Sequence, residues 1–110
     1  MCPLKYHFKL WMVNEKNEAV FGDGLARLLE QIDCHHSVLE AAKHLGMSYR
    51  YALHRITLAE ERLDKSLVTR VRGGAKGGGS SEVTPFGKKL VKEFRQTQVK
   101  LENSVGVESN

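Results

Sequence analysis

Residues 37–55 read S-V-L-E-A-A-K-H-L-G-M-S-Y-R-Y-A-L-H-R and predict two short helices joined by a tight turn. The apolar residues of the first helix recur at the i, i+3, i+4 and i+7 spacing of one helix face; they are Val38, Ala41, Ala42 and Leu45. Gly46 follows where a helix end needs a residue that tolerates a left-handed backbone. Ser48 then has the kind of side chain that caps a second helix.

The sequence of the second helix predicts an apolar stripe on one side and a polar, basic face on the other. The stripe consists of Ala52, Ile56, Ala59 and Leu63, and the opposite face carries Arg50, Tyr51, His54 and Thr57. Because alanines let two helices cross closely, the pair is a candidate helix-turn-helix for DNA binding. An αα-hairpin that only packs is the alternative.

Length, composition and net charge limit the kinds of protein that this chain can be. The chain has 110 residues, which is one domain by size, with 41% hydrophobic and 27% charged residues. Lys and Arg number 17 against 13 acidic residues, and the resulting net charge of +4 permits a polyanionic partner without requiring one.

The N-terminal residues and the cysteines bear on the cellular location of the protein. The opening residues contain no apolar core of a signal peptide, and no apolar run approaches the ~20 residues of a membrane span. Cys2 and Cys34 lie far apart and are expected to be reduced thiols. We therefore expect a cytoplasmic protein that does not act at a membrane.

Two strands are predicted before the first helix. Leu4 to Val13 alternates apolar and polar residues, which is the period of a half-buried strand, and Ala19 to Phe21 returns as a short second strand. Such a long apolar strand should not stay an unpaired edge. We expect it to pair with the later strands or to lie across a partner subunit.

Leu25 to about Cys34 is predicted to be a core-facing helix, with Asp23 as its cap. The neighbouring Cys34-His35-His36 suggests a metal site, but adjacent residues at a helix end point in different directions, and no second cluster completes a ligand set. We expect no metal, a packed Cys34 and two loop histidines. Ser37 and Glu40 then form a capping box, and Ser37 is also a candidate phosphate contact.

Residues 67–84 predict a β-hairpin, which we call the wing. Residues 67–72 read as a strand, a glycine-rich tip follows, and residues 82–84 form a short return. Glycine lets a tip backbone approach a phosphate or enter a minor groove. The positive charges come from Arg70, Arg72 and Lys76.

Two alternatives apply to the glycines of the wing. A nucleotide phosphate loop is excluded, because Lys76 does not follow the G-x-x-x-x-G-K-[ST] order. A plain disordered linker remains the alternative.

A long C-terminal helix completes the domain. Thr84 is its predicted N-cap and Pro85 its first residue, and the helix is expected to run to about Glu102. Its apolar stripe comprises Phe86, Leu90, Val91, Phe94 and Leu101, and its outer face comprises Lys88, Lys89, Lys92 and Arg95. Such a helix often packs on a second copy, which predicts a homodimer. We expect one domain over residues 1–102 and a flexible tail over 103–110.

With all elements in place, the chain resembles the N-terminal DNA-binding domain of ModE molybdate-responsive transcription regulators and, more distantly, LysR-type regulators. The matching blocks are F-G-D-G-L-A-R-L-L-E-Q-I at 21–32, E-A-A-K-H-L-G-M-S-Y-R-Y-A at 40–52, L-V-T-R-V-R-G-G-A-K-G-G-G at 67–79 and V-T-P-F-G-K-K-L-V at 83–91. The resemblance implies a mainly α fold with a small β component: a winged helix-turn-helix with an N-terminal strand or hairpin and a long C-terminal helix.

The resemblance also implies a homodimer through the N-terminal strand and the last helix, with the helix after Ser48 in the major groove of double-stranded DNA. The positions it transfers as DNA-facing are Ser48, Tyr49, Arg50 and Tyr51; His54 is added from the helical wheel alone. Family members continue into oxyanion-binding domains. We expect no small-molecule effector domain in this chain and predict no molybdate sensing.

The sequence therefore predicts a sequence-specific DNA-binding transcriptional regulator. A winged-helix adapter that binds protein and a non-specific architectural DNA binder are the alternatives. We expect no enzyme and no cofactor, because no Ser-His-Asp set, carboxylate pair or cofactor loop is present.

Overall fold

The apolar stripes of the sequence fold into helices that surround one core. The computed structural model describes residues 4, 6–71 and 80–105 of the chain. Over these residues it contains four helices and two separate two-stranded antiparallel sheets, so the fold is mainly α with a small β component. The elements are β1 (Trp11–Val13), β2 (Ala19–Gly22), α1 (Asp23–His35), α2 (Val38–His44), α3 (Tyr49–Leu63), β3 (Val68–Val71), β4 (Ser80–Val83) and α4 (Pro85–Val105).

The core lies between α1, the α2–α3 pair and the first half of α4. The predicted stripe of α1 is fully confirmed, since Leu25, Leu28, Leu29 and Ile32 are all buried. From α4, Phe94 is completely buried and meets Phe21 of β2 edge to face, with ring centroids 5.5 Å apart. Each buried side chain of this size contributes about 1.5–3 kcal/mol through removal of apolar surface from water.

The turn between α2 and α3 has the geometry that the sequence predicts. The backbone of Gly46 has φ of 69°, as a left-handed turn requires, and Met47 N donates to Ala42 O at 3.0 Å. Ser48 Oγ accepts from Tyr51 N at 3.0 Å and so caps α3. The small side chains at Ala42 and Ala52 are buried in the core.

The N-terminal strand is much shorter than predicted. Within the described residues of this stretch only Trp11–Val13 is β structure, and Leu4 is 91% exposed. The partner strand β2 is only four residues long, so the earlier residues have no strand to pair with. Of the two predicted neighbours of this strand, the wing is contradicted, since β1 pairs with β2 and β3 pairs with β4 in separate sheets. The other, a partner subunit, stays a prediction.

The wing is an antiparallel pair over the described part of the chain. Val68 faces Val83 and Arg70 faces Ser81 across the two strands. The return strand begins at Ser80, earlier than predicted, and ends at Val83, because Thr84 accepts from Gly87 N and caps α4 instead. The predicted tip, with Arg72 and Lys76, lies outside the described residues.

The long helix α4 extends past its predicted end. It reaches Val105, so the first residues of the predicted tail are helical. Leu101 of the predicted stripe is exposed rather than packed, as is Val99, because the second half of α4 projects beyond the core. None of the helices over the described ranges combines the length and apolar character of a membrane span.

Three predicted side-chain roles are wrong. Asp23 does not cap α1: Gly22 occupies the N-cap, and the Asp23 carboxylate turns to Arg27 and Arg95. Arg95 is not part of a solvated outer face, since it binds acids of α1. Cys34 is exposed rather than packed, because it lies on the outward side of the last turn of α1.

Candidate nucleic-acid interface

The outward face of α3 gathers most of the residues predicted for recognition. Arg50, Tyr51 and His54 are all exposed, while Ala52 and Ile56 on the opposite side are buried. Among the described residues, no ion pair engages Arg50, so its guanidinium is available to an external acceptor. A capped, 15-residue helix with this face can present hydrogen-bond donors to the edges of base pairs.

Tyr49, also predicted for recognition, has a different environment. It is 40% exposed, and its hydroxyl accepts a hydrogen bond from Arg70 Nη2 at 3.3 Å. Arg70 lies on β3, so this bond connects the first turn of α3 to the wing. The structure therefore brings one predicted recognition residue and one predicted phosphate contact together.

Ser37 lies close to the same region. Its Oγ accepts from Glu40 N at 3.1 Å, which confirms half of the predicted capping box. The Glu40 carboxylate makes no bond back to Ser37 N within the described residues and instead lies 3.4 Å from Lys43 Nζ. Ser81 N donates to His36 O at 2.8 Å, which joins the wing to the chain just before α2.

A groove of about 320 Å³ opens between these elements. It lies where the start of α2, the start of α3 and the two wing strands meet. Its polar lining consists of Ser37, Tyr49, Arg70, Ser80 and Ser81, and its apolar lining consists of Val38 and Leu39. Four of the nine predicted DNA contacts lie on the open face of α3 or at its cap, three meet at the groove, and Arg72 and Lys76 lie outside the described residues.

Two contacts that the sequence does not predict join the elements around this surface. The Glu60 carboxylate accepts from Leu67 N at 2.7 Å and Val68 N at 3.3 Å, which fixes the start of the wing to α3. His35 and His44 stack with ring centroids 4.3 Å apart, joining the ends of α1 and α2. Over the described ranges, no three His, Cys, Asp or Glu side chains form a group that could hold a metal.

Comparison with known proteins identifies two relatives. The chain is 32% identical over 83 residues, 76% of its length, to the "Molybdenum transport protein ModE" of Azotobacter vinelandii. It is 33% identical over 88 residues, 80% of its length, to the "Molybdenum-pterin-binding protein MopA" of Rhodobacter capsulatus. These stretches are 30% and 32% of the two relatives, so the chain spans about a third of their length. No family model matches the chain.

Over most of its own length the chain is therefore similar to one part of a ModE protein and of a MopA protein, which supports the ModE resemblance that its motifs indicated. Both relatives are named for the transport or binding of molybdenum compounds, and neither name is that of an enzyme.

Proposed function

We propose that the chain is a sequence-specific, double-stranded DNA-binding transcriptional regulator. The observation that carries the proposal is the combination of a capped helix with an open basic face and a wing bonded to its first turn through Arg70 and Tyr49. The element order of three helices, two antiparallel strands and a further helix supports a winged helix-turn-helix. We infer a regulatory role without catalysis or a cofactor.

We assign the base contacts to the outward face of α3. Arg50 is the candidate for a bidentate contact to guanine, because its guanidinium is exposed near the N-terminus of the helix. Tyr51, in the same turn as Arg50, and His54, one turn later, contact bases or sugars. Ser48 primarily caps the helix, and its position also allows it to touch a phosphate.

We assign the backbone contacts to the wing and to the start of α2. Arg70, Arg72 and Lys76 supply positive charge along the wing, and Ser37 supplies a hydroxyl at the start of α2. Contacts of this kind fix the protein on the duplex without reading its sequence.

We infer a homodimer formed by the N-terminal segment and α4. Trp11 and Val99 are 56% and 51% exposed, and both line a broad open groove between these two parts of the chain. Exposed apolar residues of this size are commonly covered by a partner. A symmetric dimer would place its two recognition helices in successive major grooves, ~34 Å apart or a multiple of that distance.

We place the protein in the cytoplasm. Cys34 is exposed and free, which suits a reducing compartment.

Selection from a random pool of duplex DNA at near-physiological salt tests the proposal. Enrichment of an inverted repeat is the expected result, and its half-site spacing would measure the dimer geometry. Retention without enrichment, falling steadily as salt rises, would indicate a non-specific architectural binder. An absence of retention would favour a winged-helix adapter that binds protein.

A further inference from the structure

The groove between α2, α3 and the wing, which we call the seam, has the chemistry of an anion site. We propose that the seam holds one phosphodiester group of the DNA backbone, and that Tyr49 positions Arg70 for this contact instead of reading a base. The inference rests on the proposed function, since the ligand is bound duplex DNA. It assigns to Tyr49 a role that the position of the residue on the recognition helix does not suggest.

The bond between Arg70 and Tyr49 leaves both groups able to bind an anion. Arg70 Nη2 donates to Tyr49 Oη at 3.3 Å, and the guanidinium keeps further N–H donors for a phosphate oxygen. The Tyr49 oxygen accepts in this bond, so the hydroxyl hydrogen is free to donate. A long arginine side chain is otherwise free to rotate, and the tyrosine holds its head group at the seam.

Two serines add further donors around the same space. Ser37 Oγ accepts from Glu40 N at 3.1 Å, so its hydroxyl hydrogen can donate to a ligand. Ser81 lines the groove from β4, and its side chain lies on the same face of the sheet as Arg70, which it faces in the register. Donors from three elements, α2, α3 and the wing, therefore surround one groove.

Among the residues that the structure describes, no acidic side chain lines the seam. Glu82, the acid closest in sequence to the wing residues of the groove, faces Thr69 in the register of the sheet, whereas Arg70 faces Ser81. Because successive side chains of a strand point to opposite faces, Glu82 lies on the face of the sheet away from Arg70. One cation and several hydroxyl donors without a carboxylate favour an anion over a metal or a cationic ligand.

Contacts within the protein also fix the seam before DNA binds. Ser81 N donates to His36 O at 2.8 Å, and Glu60 holds Leu67 N at 2.7 Å. These bonds set the distance between the wing strands and the helices. A phosphate bound at the seam would therefore set the angle at which α3 enters the major groove.

The test uses the full chain and the duplex enriched by selection, with single phosphates replaced in turn by uncharged methylphosphonate. We expect one replacement per half-site to weaken wild-type binding about 3- to 10-fold, the range of one net hydrogen bond or ion pair. Tyr49→Phe and Arg70→Ala should each bind the natural duplex more weakly and lose sensitivity to that one replacement. The fold-loss of affinity in the double variant should be smaller than the product of the two single losses, because Tyr49 acts largely through Arg70, and all three variants should keep the wild-type base preference.

Tyr51→Phe is the matched control, because it removes a hydroxyl from the neighbouring exposed tyrosine of α3 and should retain the wild-type sensitivity at every phosphate. Equal melting temperatures of Tyr49→Phe and the wild type would exclude a folding defect. Two results would overturn the inference. One is a fold-loss of DNA affinity in the double variant equal to the product of the two single losses; the other is wild-type sensitivity of both single variants at every phosphate. Failure of the proposed function would look different, because the wild-type protein itself would then enrich no duplex. In that case the inference about the seam would fail together with the proposed function.

Discussion

Arg95 on α4 donates from Nη1 to Asp23 Oδ1 on α1 at 2.7 Å, although 72 residues separate the two in the chain. The same guanidinium reaches Glu30 through Nε at 3.1 Å and Nη2 at 2.8 Å. One side chain therefore joins α4 to two acids that lie seven residues, about two turns, apart on α1. This contact fixes the helix that we propose as part of the dimer interface.

The ionisation of Asp23 depends on this contact. Burial alone raises the pKa of the Asp23 carboxyl, but the hydrogen bond from Arg95 and the charges of Arg27 and Arg95 outweigh it and lower the pKa below its ordinary value. The hydrogen bonds to Glu30 raise the pKa of the Arg95 guanidinium above its ordinary value, so this partner stays charged.

In Asp23→Asn the free energy of unfolding should fall less steeply with decreasing pH than in the wild type. Because the folded-state pKa of Asp23 lies below its unfolded value of about 3.9, the carboxylate stabilises the fold above that pH. This contribution is lost as the pH falls through the folded-state pKa. Denaturant unfolding from about pH 7 down to about pH 2 measures it. Asp33→Asn is the control, since the one ion pair of Asp33 within the described residues, with Lys88 at 3.7 Å, is exposed. The same acid dependence in Asp23→Asn and the wild type would contradict the prediction.

Arg95→Ala should lower the free energy of unfolding by about 1–2 kcal/mol. This expected loss is larger than that of a single surface ion pair, because the guanidinium bonds two carboxylates. It stays moderate because both carboxylates are partly exposed to solvent. Lys88→Ala on the same helix removes a single long, exposed pair and should cost less than about 0.5 kcal/mol. Equal losses in the two variants would show that the Arg95 contacts do not stabilise the fold.

Gly87→Ala should destabilise the protein by about 1–3 kcal/mol, the usual cost of overpacking. A Cβ at this position would lie 2.8 Å from both Leu67 O and Val83 Cγ1, so α4 or the wing must move. Gly24→Ala is the control, because its Cβ would meet only Arg55 Nη2, at 3.8 Å, and alanine favours the helix. Thermal unfolding should show a loss for Gly87→Ala and no loss for Gly24→Ala; unchanged stability of Gly87→Ala would contradict the tight packing at the start of α4.

Substitutions at Ser48 should separate helix capping from DNA contact. Ser48→Ala removes the acceptor for Tyr51 N and should cost about 1 kcal/mol of stability. Ser48→Asp keeps an acceptor and should fold as well as the wild type, but its negative charge should repel a nearby phosphate and weaken binding to the selected duplex. Wild-type DNA affinity of Ser48→Asp would place this residue away from the backbone.

Local patterns were sufficient to predict most of the fold. The stripe of α1 follows directly from the spacing of Leu25, Leu28, Leu29 and Ile32. The helix ends follow from residue chemistry at Ser48 and Gly46. In each case the determining interaction lies within a few residues of the side chain that reveals it.

The errors arise where the decisive partner is distant in the chain. Alternation over residues 4–13 does not reveal that β2 is only four residues long, so β1 was predicted too long. A helical wheel places Arg95 away from the apolar stripe of α4 but cannot show that Asp23 and Glu30 of α1 lie beside it.

The same limit applies to the candidate site. The wheel identified the open face of α3 correctly, because exposure of Arg50, Tyr51 and His54 follows from the burial of the opposite stripe. It could not reveal the bond between Tyr49 and Arg70, which are 21 residues apart and belong to different elements.

The base preference of Arg50→Ala tests the central claim most directly, namely that α3 is the recognition helix. The variant and the wild type are each selected against the same random duplex pool, and the enriched sites are compared position by position. We predict that Arg50→Ala loses discrimination at one base pair in each half-site, equivalent to about 1–3 kcal/mol, and keeps its preference elsewhere. An enriched site and an affinity identical to those of the wild type would contradict the assignment of α3 as the recognition helix.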